Sequence, residues 1–316
     1  MFQSETGIKA TYAEDIDDND SYYGKVQGQL RNGDDIGKDV ITLTDWMADR
    51  MIRQGYVQEL DKSNIPNAAN LTPKLQDVGF DPGRKYTLTW QSGYAGIGYH
   101  KGKVGRELKT LDDLWAPDLK GKVVVLSEMR DTVGVIMMSQ GVDISKDFTE
   151  DQFNAALDVL QKQIDSGQIR QVKGNSYLED LQSGNAIAAI AWSGDILVAQ
   201  FETEDPDYTF ALPETGGTLW SDNLMVPIGS PHKANAEKLM NYYYDPAIAA
   251  EVAAWVNYIC PVEGAKEEME KIDPSLVDNP LIFPDEEFLA NAYGFMELDE
   301  KTRQSYDKDF AKVIGA

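Results

Sequence analysis

The chain has 316 residues, a formal net charge of −24 at pH 7 and one cysteine. Its length suits one to three domains, with two the natural division. The charge argues against a nucleic-acid partner, since phosphate binding needs basic surface. The lone thiol rules out an internal disulfide. No apolar run approaches the roughly 20 residues of a membrane span, so no direct span is expected.

Short apolar runs alternate with amphipathic segments, which predicts an α/β fold. In chain order, the acidic run Asp15-Ile16-Asp17-Asp18-Asn19-Asp20 begins like a calcium loop. Asp20 stands where the turn glycine belongs and Val26 where the closing glutamate belongs, so the run predicts a solvated turn. Residues 39–44 read as a buried strand. Met47, Met51 and Ile52 follow at helical spacing, with Gly55 as the stop. Strands are predicted over 86–90, 122–126 and 186–192. Thr149-Glu150-Asp151-Gln152 fits a capping box. Phe153, Leu157, Leu160 and Ile164 then line one helical face, and Gly167 ends it. A further helix spans about 234–244, stopped by Asp245-Pro246. Asp273-Pro274 and Asn279-Pro280 mark turns before a final helix over about 299–313.

The usual catalytic and cofactor motifs fail residue by residue. Gly96-Ile97-Gly98 lacks the third glycine of a dinucleotide fingerprint. Ser92, in Gln91-Ser92-Gly93, lacks the preceding glycine of a nucleophile elbow. There is no Gly-Lys-Ser/Thr phosphate loop. His100 and His232 lie far apart and are not flanked by other metal ligands, so no metal site is expected. Cys260 sits between Ile259 and Pro261, a setting for an inert thiol. No cofactor is implied.

What remains is a repeated pairing of aromatic residues with carboxylates at strand ends. Thr44 and Trp46 follow the first strand. Glu128 and Asp131 follow the strand that ends at Leu126. Trp192 and Asp195 follow the next, Trp220 and Asp222 precede the run Leu224-Met225-Val226, and Tyr258 follows an apolar helix. Ligands of open α/β sheets bind outside the carboxyl ends of strands. Aromatic faces attract ammonium groups, and carboxylates accept charge-assisted hydrogen bonds from them. The net charge suits the same cationic partner. Each residue also has a plainer use. A tryptophan after a strand packs a core. Ser127, Glu128 and Asp131 suit a helix start, as does Asp195. The surplus acids also keep a protein soluble.

Several segments, taken in order, resemble the spermidine/putrescine-binding proteins of bacterial ABC importers, a branch of the family 1 extracellular solute-binding proteins. They are Asp45-Trp46-Met47, residues 56–63, Gly96-Ile97-Gly98-Tyr99, residues 127–132, Ala191-Trp192-Ser193-Gly194-Asp195, residues 219–223 and Asn257-Tyr258-Ile259-Cys260-Pro261. The likeness runs from Thr6-Gly7 to the C-terminus. It implies a two-lobed periplasmic-binding-protein fold (type II) that closes about a hinge. Residues 1–94 and 222–265 would form one lobe and 98–218 with 268–316 the other, with crossovers near 95–97, 219–221 and 266–267. It further implies a monomeric, non-enzymatic, extracytoplasmic subunit, periplasmic or lipid-anchored at the cell surface. Such a subunit captures a polyamine, putrescine or spermidine, and delivers it to permease subunits.

The resemblance also assigns the ligand-binding residues. Trp46 flanks the ligand with Thr44 nearby. Glu128 and Asp131 match an acidic pair that receives an amino group, and Trp192 matches a stacking residue. Asp195 matches the acid of putrescine-type binders, and Trp220, Asp222 and Tyr258 match further walls and the other amine-holding carboxylate. Two departures stand out. Relatives carry a first strand and an export signal ahead of the helix that ends near Thr6-Gly7, and this chain starts inside that helix. A weaker first lobe and poorer affinity are expected from that. Phe295 and Met296 fall where some members place a polar ligand contact. The same fold with another solute (another cation, ferric ion or a sugar) is the alternative, although acids with tryptophan suit neither anions nor iron. A hydrolase using Glu128 and Asp131 is the other, although residues three apart on one helix stand side by side rather than flanking a bond.

Overall fold

A computed structural model describes residues 1–315. Its strands are β1 (Ile41–Thr44), β2 (Leu88–His100), β3 (Val123–Leu126), β4 (Ile169–Lys173), β5 (Ala188–Trp192), β6 (Tyr208–Ala211), β7 (Gly217–Met225) and β8 (Ala292–Gly294). The chain divides into two compact units, residues 1–92 with 221–283 and residues 93–220 with 284–316. It therefore passes from one to the other inside β2, inside β7 and after Phe283. Residues 268–283, which the resemblance assigns to the second lobe, pack in the first unit. Met269 and Ile282 are fully buried there among Leu71, Tyr244 and Ala249. The reason is local: the helix Ala265–Ile272 lies against the helix Pro246–Val256 that precedes it.

In the first unit β1 pairs antiparallel with the second half of β7, in the register Ile41↔Met225 and Thr44↔Asp222. Strand alternation turns Ile41 and Leu43 inward. They meet Met47, Ala48 and Met51 of the helix Asp45–Arg53, whose 3.6-residue period places those three on one face. The helix Asn19–Asn32 covers the same cluster with Tyr22, Tyr23, Val26 and Leu30. The acidic run read as a solvated turn is its start. Asp18 caps it, accepting from the Ser21 N–H at 2.8 Å, and Asp15 pairs with Lys38 at 2.9 Å. The carboxylates are thus used against backbone donors and lysines.

The second unit holds a mixed sheet. β5 runs antiparallel to β2 and parallel to β3, β3 runs parallel to β4, and β6 pairs antiparallel with β2 along its other edge. Val123–Leu126 and Ala188–Ala191 are fully buried, as central strands covered on both faces must be. The helix Met129–Ser139 follows β3 and packs on the helix Glu150–Asp165. The predicted capping box is present: Thr149 Oγ1 accepts from the Gln152 N–H at 3.2 Å, and the Thr149 N–H donates to Gln152 Oε1 at 2.9 Å. Phe153 on that helix stacks on Tyr306 of the last helix, Glu300–Ile314, at 3.7 Å between ring centroids.

The Gly96-Ile97-Gly98 segment lies within β2, and its glycines serve packing. A Cβ on Gly98 would stand 2.6 Å from Ala191 Cβ and 2.5 Å from Ile196 Cδ1. Both residues are fully buried, so the added methyl must displace packed neighbours. Gly98→Ala is therefore expected to lower stability by about 1–3 kcal/mol through overpacking, measured as a shift in the urea midpoint. An unchanged midpoint means β2 and β5 separate more easily than this packing allows.

Candidate functional site

In the first unit the end of β1 is clamped. Asn19 uses both ends of its amide on Thr44: Nδ2 donates to Thr44 Oγ1 at 3.0 Å, and Oδ1 accepts from the Thr44 N–H at 3.1 Å. The Thr44 hydroxyl, with its acceptor side occupied, donates to Asp222 Oδ1 at 3.0 Å on the neighbouring strand. One side chain thereby orients the carboxylate. Trp46 follows in the first turn of the helix Asp45–Arg53. It packs on the Ile41 and Met47 cluster while remaining half-buried. The packing use of a tryptophan after a strand holds here. Tyr258 is buried one residue after Asn257, whose left-handed backbone (φ 56°) ends the helix Pro246–Val256.

Beneath this carboxylate runs a buried polar chain. Arg84 is 3% exposed and sits at a positive φ of 52°. Its guanidinium donates to Asn223 Oδ1 at 2.8 Å, Thr87 Oγ1 at 3.1 Å and Thr89 Oγ1 at 2.6 Å. Asn223 in turn donates to Asp45 Oδ1 at 2.6 Å. Burial lowers the pKa of Arg84, and the nearby Asp45 opposes it. The residues beside Thr44 and Asp222 are thus fixed from below as well as across the sheet.

In the second unit the two parallel strands β3 and β5 each run straight into a helix. Glu128 occupies the N-cap and Asp131 the third position of the helix Met129–Ser139; Trp192 and Asp195 occupy the same two places in the helix Ser193–Thr203. Helix starts favour negative charge, so both acids sit where backbone dipoles support them. Asp131 is fully engaged. Its Oδ2 accepts from Trp192 Nε1 at 2.8 Å, and its Oδ1 accepts from Thr218 Oγ1 of β7 at 2.5 Å. Burial raises its pKa above the ordinary carboxylate range, against the pull of both donors and of Arg130. The Trp192 ring meets Trp220 edge-on, with centroids 6.5 Å apart and planes at 74°. Glu128, Asp131 and Trp192 are each less than a tenth exposed, and Trp220 and Asp195 are half-buried.

The structure therefore groups Thr44 with Asp222 in one unit and Asp131, Trp192 and Trp220 in the other. Asn19, Arg84 and Thr218 were missed by sequence reasoning. Only Thr218 left a readable signal: it precedes Trp220 and Asp222 at the two-residue period of a strand. Phe295, noted above as a departure, has its ring centroid 5.8 Å from the Arg130 guanidinium carbon.

His100, which has no metal-type neighbours in sequence, acquires two in the fold. His100 lies with Asp205 and Asp207, their ligand atoms within 4.8 Å of one another. The two acids sit about a hundred residues on, at the foot of β6, so the cluster was invisible in sequence. Its wiring is that of a histidine–carboxylate hydrogen bond. His100 Nδ1 accepts from the Lys103 N–H at 3.3 Å, which leaves the proton on Nε2, facing Asp205 Oδ2 at 3.0 Å. Cys260 is buried, and burial pushes its thiol up to about 12, which makes it inert at neutral pH.

A family model described as bacterial extracellular solute-binding protein matches residues 1–284. The spermidine/putrescine-binding periplasmic protein of Escherichia coli (strain K12) is 26% identical over 293 residues, which is 92% of this chain and 80% of that protein. A putrescine-binding periplasmic protein of the same organism is 26% identical over 329 residues, 99% of this chain and 86% of that one. A solved structure described as a spermidine/putrescine ABC transporter from Listeria monocytogenes superposes with a TM-score of 0.85 at 25% identity, covering 99% of this chain and 92% of that chain. That likeness identifies the fold as the two-lobed periplasmic-binding-protein architecture.

Asp131→Asn keeps both contacts, with the amide oxygen toward Trp192 and the amide nitrogen toward Thr218. The raised carboxyl pKa makes the protonated acid the stabilising form. Its contribution is complete at low pH and is lost as pH rises through the folded-state value, whereas asparagine does not titrate. The stability of the variant relative to the parent is expected to grow as pH rises from 4 to 7. Thermal melts across that range measure it, and a difference independent of pH rejects the raised carboxyl.

Proposed function

The chain belongs to the bacterial extracellular solute-binding proteins, and from that premise we propose that its solute is a polyamine, putrescine or spermidine. The observation that carries this reading is the Asp131–Trp192–Trp220 arrangement at the carboxyl ends of β3 and β5. An indole held by its N–H presents its face at a fixed angle, and a second indole stands across it. Faces so fixed cover methylenes and attract ammonium, each contact contributing about 0.5–2 kcal/mol. Glu128 and Asp195 supply carboxylates beside that wall, and Asp131 acts chiefly through the indole it orients. In the first unit Asp222, aimed by Thr44, offers a further carboxylate acceptor for an ammonium group, with Trp46 and Tyr258 as its aromatic companions. The net charge of −24 draws cations toward such a site. Relatives whose names state spermidine or putrescine binding support the same assignment.

In this reading the two units are the lobes, the three chain crossings in β2, in β7 and after Phe283 form the hinge, and the loaded form delivers its solute to membrane permease subunits outside the cytoplasm. Among the described residues no helix is long and apolar enough to cross a membrane. The family captures solutes and leaves them unchanged. The chemistry of Asp131 fits that: a carboxylate with both oxygens accepting from protein donors is a poor proton shuttle.

Titration calorimetry with putrescine, spermidine, a sugar panel and ferric citrate tests the assignment. Binding of a polyamine is expected. At a ligand concentration one hundredfold above Kd, unfolding should cost about 2.7 kcal/mol more, seen as a rise in Tm. Asp222→Asn is expected to weaken polyamine binding at least about tenfold, because an ammonium loses its charged acceptor. Heat from a sugar or from iron with none from either polyamine overturns the proposal.

A further inference from the structure

Tyr177 opens the helix Tyr177–Ser183 and is wholly buried. None of the polyamine-site residues assigned above includes it, and its position in sequence, fifteen residues before Trp192, gives no hint of a role. Its ring stands edge-on to Trp192, with centroids 5.8 Å apart and planes at 75°. Its hydroxyl oxygen accepts from the Trp192 backbone N–H at 3.1 Å, and its proton goes to the Asp195 carboxylate. A phenol has one proton to give, so this arrangement uses both sides of the group. Burial, followed by the adjacent Asp195 charge, raises its pKa well above that of an ordinary phenol. The hydroxyl therefore stays protonated and stays a donor.

We propose that Tyr177 is a positioning residue for solute binding: through one hydroxyl it sets the start of the helix that carries Trp192 and aims Asp195 at the ligand's ammonium group. The inference rests on the polyamine reading and deepens it. Trp192 is the N-cap of its helix and Asp195 the third residue, so they are separated by one turn and lie on the same side of it. A phenol wedged between them locks the spacing between the aromatic wall and the charged acceptor. Two contacts that a ligand meets separately become one rigid unit. Preorganisation of this kind adds affinity by removing an ordering cost from the binding step. It also selects: a solute whose ammonium and methylenes match that spacing binds without disturbing Tyr177.

Tyr177→Phe fills the same volume and removes only the oxygen. In calorimetry its affinity for the polyamine that binds best to the parent protein is expected to fall about tenfold, as for loss of a hydrogen bond to a charged group. Asp195→Asn should fall by at least as much, and the double variant no further than Asp195→Asn alone. Leu181→Ala, on the same helix and equally buried, is the control. It should lower Tm through its cavity and leave Kd unchanged. A second readout does not depend on the phenylalanine variant folding. With 3-fluorotyrosine placed at 177, the fluorine resonance is expected to move on adding polyamine to the parent, and to stay still in Asp195→Asn. Unchanged affinity in Tyr177→Phe, additive losses in the double variant, or a resonance indifferent to ligand each overturn the inference while the polyamine reading stands. A parent protein that binds no polyamine overturns both.

Discussion

A single carboxylate ties three separate segments of the second unit together. Asp131 belongs to the helix after β3, Trp192 ends β5, and Thr218 lies in β7. The aspartate contributes both carboxylate oxygens and the other two one donor each, in contacts buried from water. A buried carboxylate is costly unless its oxygens are satisfied, so the geometry of all three segments is constrained at once. Remove the threonine or the indole N–H and the charge is left with too few donors. The arrangement of aromatic walls in this unit follows from that constraint, because an indole whose nitrogen is fixed cannot turn its face. The first unit repeats the device with weaker elements. A threonine hydroxyl, gripped by Asn19, aims Asp222 across a strand pair, and neutral amides and hydroxyls take the place of tryptophan.

Much of the fold was legible because it is written locally. The capping box at Thr149 and the apolar runs of β1, β3 and β5 depend on neighbours within a turn or a strand. The start of the helix Asn19–Asn32 was hidden because its acidic cap resembles an ion loop, and because Gly24 and Gly28 dilute its helical signal. The order of strands was illegible. β2 is flanked by β5 and β6, partners about ninety to one hundred and ten residues away that share no motif with it.

The site divides along the same line. Carboxylates and tryptophans at strand ends are visible because the side chain itself carries the chemistry. Asn19, Arg84 and Tyr177 are invisible because their role comes from what they touch, and those partners lie across the chain in sequence: Asn19 and Thr44 are 25 apart, Arg84 and Asn223 are 139 apart. The family resemblance proposed ligand residues on position alone. It could not distinguish an acid that meets solvent from one such as Asp131, whose two oxygens are taken by the protein.

The division of the chain has a further consequence, in time. β1 finds its strand partner only at residues 222–225. Translation proceeds at about 5–20 residues per second, so Ile41 emerges roughly ten to forty seconds before Met225. Through that interval Leu43, Met47 and Met51 lack part of the surface that will bury them. The second unit waits longer, since Phe153 meets Tyr306 only when the last helix is made. Neither unit completes its core before these later segments are made, so the last steps of core formation wait on them. Over that window the early strand and helix carry apolar side chains whose final cover has not yet been made.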